Sequence, residues 1–73
     1  MSNYHINIFY SSDDDGFIAD IPDLKFCSAF GETPEEALAE VLTAQKLWLE
    51  AAYATNRKIP EPAYKPVIYQ PAQ

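Results

Sequence analysis

The carboxylates in the first third of the chain are the side chains that come closest to a catalytic set. They are Asp13, Asp14, Asp15, Asp20 and Asp23. Carboxylates that converge on two metal ions support nuclease chemistry, but the preceding segment, residues 4–10, contains none to act as the central ligand. A calcium loop needs ligands at alternate positions and a terminal glutamate, and no glutamate follows at that spacing. The pattern therefore predicts a solvated acidic turn, with no catalytic or metal-binding residues.

Two further reactive side chains, Cys27 and His5, occur once each. They fall short of a zinc ligand set, and Cys27 has no partner for a disulfide within the chain. We expect Cys27 to be a small buried apolar residue, and His5, which has no acid or nucleophile beside it, to be hydrogen-bonded or exposed. Trp48 is expected in the core or at an interface, because no basic patch accompanies it for base stacking. No cofactor is expected.

The charge balance bears on the kind of partner. Eleven acidic residues against five basic ones give a formal net charge of −6. Nucleic-acid binding depends on neutralising phosphates with surplus Lys and Arg, so direct DNA binding is not expected. A basic protein would be attracted instead, and the five aspartates are the candidate contacts. The alternative is that the acidity only keeps the protein in solution.

The length of 73 residues allows a single domain, residues 1–73. A domain of this size buries only about 60% of the surface that its unfolded chain exposes. With no disulfide or metal expected, self-association or binding to another protein is the remaining source of stability. The N-terminus lacks a basic region followed by an apolar stretch, and no apolar run approaches the ~20 residues of a membrane span. We expect a cytoplasmic protein.

Three short strands are predicted before the middle of the chain. Period-2 alternation marks the first, with an apolar face made of Tyr4, Ile6, Ile8 and Tyr10. A polar turn ending at Gly16 leads to a second strand over residues 17–21. Pro22 and its neighbours interrupt the pairing, and residues 26–30 form the third strand, which ends at Gly31.

A long helix is predicted next, followed by one more strand. Thr33, Pro34 and Glu36 form a capping box with proline at the first helical position. The helical spacing extends to about Thr55, and Asn56 is the expected stop. Its apolar stripe contains Ala37, Leu38, Val41, Leu42, Trp48, Leu49 and Ala52. Residues 59–62 contain two prolines and must be extended, and residues 67–69, or 64–69, form the last strand.

The order predicts a β-β-β-α-β fold of the α+β class. Three antiparallel strands form the sheet, the helix covers one face, and a right-handed crossover lets the last strand run parallel to the first. A helix of about 22 residues is ~33 Å long, whereas the strands span ~17–23 Å. The end of the helix should therefore overhang the sheet. We expect self-association, as a dimer or tetramer, through this overhang or through the edge of the sheet. The candidate interface residues are Leu47, Trp48, Ala51 and Tyr53.

Several short stretches of the sequence form a family pattern. Residues 14–19 and 21–24 are DDGFIA and IPDL, and Cys27 follows them. They resemble the hairpin stretch of the HicB family of antitoxins, in which a cysteine takes the position of Cys27. Residues 30–38, FGETPEEAL, match the element that opens the family's helix. Trp48 with Leu49 and residues 59–62 match the end of the module. The resemblance covers residues 1–62, most clearly from Tyr4, and leaves 63–73 as the last strand and tail.

The resemblance implies a reduced RNase H-like fold and an antitoxin role. Such a protein neutralises a HicA-type toxin, a small basic ribonuclease that cleaves mRNA, by masking its active site. Two departures are evident. With residues 63–73 assigned to the last strand and tail, we expect no DNA-binding segment of the kind that often follows the module, which puts transcriptional autoregulation in doubt. The family's usual Pro-Gly is Lys25-Phe26 here, so the turn into the third strand is expected to differ. The alternative is an orphan HicB-like homo-oligomer without a toxin.

Overall fold

The computed structural model describes residues 3–66 and contains three strands and one helix. Strand β1 spans Asn7–Ser11, β2 spans Gly16–Asp20 and β3 spans Ser28–Gly31, followed by helix α1 over Pro34–Ala54. The strands form one antiparallel sheet in the order β1-β2-β3. The predicted α+β class, the antiparallel three-stranded sheet and the single long helix are confirmed. The predicted last strand at residues 67–69 lies outside the described residues, and the described residues 64–66 are not in a strand.

The first strand begins later than predicted, and its apolar face is only partly buried. The last β1–β2 pair is Asn7 with Asp20, because the chain then turns at Ile21, whose amide donates to the Cys27 carbonyl at 3.0 Å. Residues 4–6 therefore have no partner on β2. Tyr4 is buried, whereas Ile8 is 37% exposed and Tyr10 55% exposed. The helix packs mainly on β3 and β2, which leaves β1 at the uncovered margin of the sheet.

The third strand also starts later than predicted, and Phe26 lies outside it. Phe26 has a φ of 62°, which is incompatible with an extended strand. A turn precedes β3 instead, in which the Leu24 amide donates to Ile21 and the Cys27 amide donates to Leu24. The second strand is shifted by one residue, to Gly16–Asp20.

Helix α1 begins and ends as the sequence predicts. The Thr33 hydroxyl accepts from the Glu36 amide at 3.1 Å, which is the capping interaction. The Glu36 carboxylate accepts from the Glu32 amide at 2.9 Å, so a second free backbone donor is satisfied. At the other end Asn56 takes a φ of 60°, the left-handed conformation that ends many helices.

The core lies between the sheet and the inner stripe of α1. Its fully buried residues include Ala19 and Ile21 from the sheet side and Ala37 and Val41 from the helix. Gly31 allows the close approach of β3 to the helix, because a Cβ at this position would lie 2.2 Å from the Ala37 backbone nitrogen. The predicted apolar stripe of the helix is only partly buried. Two of its leucines, Leu38 and Leu42, are 38% and 45% exposed.

Candidate protein-binding surfaces

The turn between β1 and β2 holds three of the predicted contact residues in exposed positions. They are Asp13, Asp14 and Asp15. The turn is built by local hydrogen bonds: the Ser11 hydroxyl donates to the Asp14 carboxylate at 2.8 Å, and the Tyr10 hydroxyl donates to Asp15 at 3.1 Å. Asp15 has a φ of 52°, a conformation that aspartate tolerates better than most residues. These bonds position the carboxylates while leaving them in contact with solvent.

The structure adds acidic residues to this end of the molecule that are distant from the turn in the sequence. Because Phe17 pairs with Gly31, the start of β2 lies beside the end of β3, where the helix begins. Exposed carboxylates from both segments therefore share one end of the fold, and we call this set the acidic end. It consists of Asp13, Asp14, Asp15, Glu32, Glu35 and Glu36. The capping box is the signal in the sequence for these glutamates, and by itself it predicts only the start of a helix.

The other two predicted contact residues lie at the opposite end of the sheet. Asp20 ends β2, four residues and ~13 Å from Gly16, and Asp23 lies beyond it in the following turn. The Asp23 carboxylate accepts from the Tyr64 amide, at 3.2 Å to each oxygen. Asp23 therefore fixes the segment after the helix. The five aspartates predicted as partner contacts do not form one surface.

The segment after the helix returns to the start of β1. The Tyr4 hydroxyl donates to the Pro60 carbonyl, and the rings of His5 and Tyr64 lie 4.7 Å apart between centroids. His5 also hydrogen-bonds Asn7 at 2.7 Å, so this residue is engaged in local structure. A groove of about 470 Å³ lies between this region and the helix, with Ile6, Leu42 and Leu49 among its lining residues.

The predicted oligomer-interface residues differ in their surroundings. Trp48 is half-buried against the core, and its indole N–H donates to the Lys25 carbonyl at 3.0 Å. Leu47 is 59% exposed and Tyr53 is 71% exposed, and Ala51 is also exposed. Leu47 and Tyr53 are six residues apart, which places them about 120° apart around a helix of 3.6 residues per turn. The two large exposed side chains therefore do not form one continuous patch.

Phe26 is the most exposed large apolar side chain among the described residues, with 92% of its surface accessible. The Lys25 ammonium lies 5.7 Å from the centroid of its ring. The ring therefore contributes little burial, and the left-handed conformation of Phe26 carries a backbone cost. From the sequence alone, Phe26 only departs from the Pro-Gly pattern of the HicB family.

The remaining reactive groups are buried and serve the core. Cys27 is 5% exposed, and burial raises the pKa of its thiol, which suppresses the thiolate form. Burial, and after it the nearby Asp23 charge, raises the pKa of the Tyr4 hydroxyl. Among residues 3–66 no group of three or more His, Cys, Asp or Glu side chains is arranged to hold a metal ion. No helix in this part of the chain is long and apolar enough to cross a membrane.

Comparison with known proteins gives a clear relative. The sequence is 47% identical over 58 residues to the UPF0150 protein ssl0259 of Synechocystis sp., and the alignment covers 80% of this chain and 78% of that protein. No family model matches the sequence. No solved structure matches it either.

Proposed function

The chain belongs to the UPF0150 family, and from this premise we propose that it is an antitoxin-like protein of the HicB type. It binds a small basic HicA-type ribonuclease in the cytoplasm and masks the active site and RNA-binding face of that toxin. It acts by binding and not by catalysis. The observation that carries the proposal is the acidic end, where six exposed carboxylates come from two separate segments of the chain.

The charge distribution supports this assignment of the contact surface. The five basic residues are Lys25, Lys46, Arg57, Lys58 and Lys65. All of them lie in the turn before β3, in the second half of α1 or after it. None belongs to the segments that form the acidic end. A ribonuclease surface that binds phosphates is basic, and an acidic surface competes with RNA for it. The acidic end therefore meets the toxin where its substrate would bind.

Charge reversal with a matched control tests the proposal. The test variant carries Asp13→Lys and Glu32→Lys at the acidic end, and the control carries Glu50→Lys and Glu61→Lys. All four positions are exposed, and each pair changes the net charge from −6 to −2, since each reversal adds two charges. Equal net charge leaves the position of the charges as the only difference.

Association with a HicA-type toxin encoded beside this gene is measured by stopped-flow kinetics at several salt concentrations. We expect the acidic-end variant to associate at least ~10-fold more slowly at low salt and to show a flatter salt dependence, because steering charges act mainly on the association rate. The control should change the rate much less. Equal slowing in both variants would show that net charge matters and that the acidic end does not.

A co-expression assay tests the antitoxin role itself. Growth arrest by the toxin should be relieved when this chain is produced with it. If arrest persists while the chain accumulates as a folded protein, the alternative holds, in which the chain is an orphan HicB-like homo-oligomer without a toxin.

The proposal includes a reduced RNase H-like fold with a fourth strand. The contacts of Tyr4 with Pro60 and of Asp23 with Tyr64 bring the chain to the start of β1. A strand over residues 67–69 that continues from there along the free edge of β1 would run parallel to it. Deleting residues 67–73 should then speed hydrogen exchange at the outward-facing β1 amides and leave those of β3 unchanged. Equal exchange in both chains would contradict this strand.

A further inference from the structure

Strand β3 forms one margin of the sheet, and its outer edge pairs with no other strand among residues 3–66. The order β1-β2-β3 leaves β1 at the other margin, where the proposed fourth strand would lie. Natural sheets commonly protect their edges with charged residues, prolines or bulges. Strand β3 reads SAFG, which contains neither charge nor proline, and its pairing with β2 has no bulge. The edge of β3 is therefore open to a strand of another protein.

The register of the sheet shows which groups of β3 face outward. The Ile21 amide donates to the Cys27 carbonyl at 3.0 Å, and this pair continues the register of β2 with β3 by one step. Opposite residues of antiparallel strands alternate between pairs that exchange hydrogen bonds and pairs that do not. Counting from Cys27, every second residue bonds to β2, which leaves the amides and carbonyls of Ser28 and Phe30 pointing to the free edge.

A hydrogen bond just beyond β3 agrees with this assignment. The next outward-facing amide is that of Glu32, and it donates to the Glu36 carboxylate at 2.9 Å. A side chain of the same molecule thus satisfies this amide, whereas no described segment pairs with the outward groups of Ser28 and Phe30. A pair that exchanges hydrogen bonds contributes two. An antiparallel strand added here would therefore form about four backbone bonds with these two residues.

A cleft of about 300 Å³ lies beside this edge, between the end of β3 and the first turns of α1. Three glutamates are among the described residues that line it, with no lysine or arginine: Glu32, Glu36 and Glu40. Glu36 and Glu40 are four residues apart on α1, where like charges destabilise a helix. A cation placed between them relieves this repulsion. The cleft therefore fits an ammonium or guanidinium group of a partner.

We propose that β3 accepts an extended strand of a basic protein, which places a lysine or arginine side chain in the cleft. When a strand adds to a sheet edge, backbone hydrogen bonds give affinity and side-chain pockets give specificity. Because β3 has only four residues, the charge of the cleft must select the partner. This inference rests on the proposed function and adds how the toxin is held: the acidic end attracts it, and the β3 edge binds it.

Hydrogen exchange of the isotope-labelled full chain, with and without the toxin encoded beside this gene, tests the proposal amide by amide. Ser28 and Phe30 should exchange rapidly in the free chain and at least ~10-fold more slowly in the complex, because the added strand protects their amides. Ala29 and Gly31 bond to β2 and should be protected in both states. Protection of Ser28 and Phe30 that appears without toxin at high chain concentration would overturn the proposal, because a second copy would then occupy the edge.

A matched pair of variants isolates the backbone bond of Phe30. Phe30→Pro and Phe30→Thr both remove the ring, but only proline lacks the amide proton, and a sheet edge tolerates proline where that proton faces outward. Phe30→Pro should bind the toxin at least ~10-fold more weakly than Phe30→Thr, because it loses a strand bond and its ring obstructs the added strand. Equal binding by the two variants overturns the proposal. If the proline variant does not fold, the exchange measurement on the wild type decides.

A second pair of variants tests the cleft. Glu40→Gln and Glu50→Gln each remove one carboxylate from an exposed position of α1, so both change the net charge from −6 to −5. The toxin should dissociate ~5-fold faster from Glu40→Gln, because the bound cation loses a partner. Its dissociation from Glu50→Gln should match the wild type. Equal dissociation from both variants would remove the cation from the cleft.

The exchange measurement also separates this inference from the proposed function. A toxin that does not bind the wild type overturns both. A toxin that binds and is neutralised, while the Ser28 and Phe30 amides still exchange rapidly in the complex, overturns the strand addition alone and leaves the antitoxin role intact.

Discussion

Phe26 provides a direct test of the backbone conformation before β3. Its φ of 62° is a conformation that costs a residue with a Cβ about 1–2 kcal/mol, and glycine avoids this cost. Glycine also gains freedom in the unfolded state, which costs ~0.4–1 kcal/mol. The midpoints of these two ranges, ~1.5 and ~0.7 kcal/mol, leave Phe26→Gly more stable than Phe26→Ala by about 0.8 kcal/mol. This reverses the usual ranking of alanine over glycine.

Loss of the ring affects both variants equally. With 92% of Phe26 exposed, the buried part is ~16 Å² of about 200 Å², worth ~0.4 kcal/mol. The contact with Lys25 adds about 0.5 kcal/mol at an exposed position. These losses offset most of the relieved backbone cost, so Phe26→Gly should unfold within ~1 kcal/mol of the wild type.

Urea and thermal unfolding followed by circular dichroism measure the difference between the two variants. At 4–8 °C per kcal/mol for a domain of this size, the glycine variant should melt ~3–6 °C above the alanine variant. The control pair is Glu40→Gly and Glu40→Ala, at an exposed position inside α1, where alanine should be more stable by ~1 kcal/mol. The reasoning is refuted if alanine is at least as stable as glycine at position 26, because the left-handed turn would then not be populated.

Two further outcomes follow from the packing and from the buried hydroxyl and thiol. Gly31→Ala should lower the free energy of unfolding, measured by urea denaturation, by about 2–3 kcal/mol, because the new Cβ lies 2.2 Å from the Ala37 backbone and the helix must shift. The control Gly16→Ala should lower it less, because the new Cβ lies 2.4 Å from the Phe30 ring, which can rotate away. The pKa values of Cys27 and Tyr4 are raised in the folded protein, so the unfolded chain loses these protons at a lower pH. The contribution of these groups to the free energy of unfolding is therefore fully present at neutral pH. It falls as the pH rises from ~8.5 through the folded pKa values. Melting temperatures measured from neutral to strongly alkaline pH check this pH dependence. In Cys27→Ala the melting temperature should begin to fall nearer ~pH 10, where tyrosine titrates. If it begins to fall at the same pH as in the wild type, the Cys27 thiol is not the cause.

The local elements of this protein were determined by its sequence. Thr33 and Glu36 mark the helix start because the bonds at this end join residues three or four apart, and Asn56 marks its end for an equally local reason. The antiparallel sheet follows from alternating short segments joined by turns. A buried Cys27 followed from its chemistry and the lack of a partner.

Strand boundaries and the grouping of surface residues were decided by tertiary structure. Residues 4–6 alternate like a strand but have nothing to pair with after β2 turns away at Ile21. The sequence placed Asp20 and Asp23 with the acidic turn, whereas the length of β2 separates them and the pairing of β2 with β3 brings Glu32 to that turn instead. Hydrophobic periodicity and helix capping depend on residues only a few positions apart, so the sequence alone determines them. Which distant segments meet depends on how the sheet and the helix pack together.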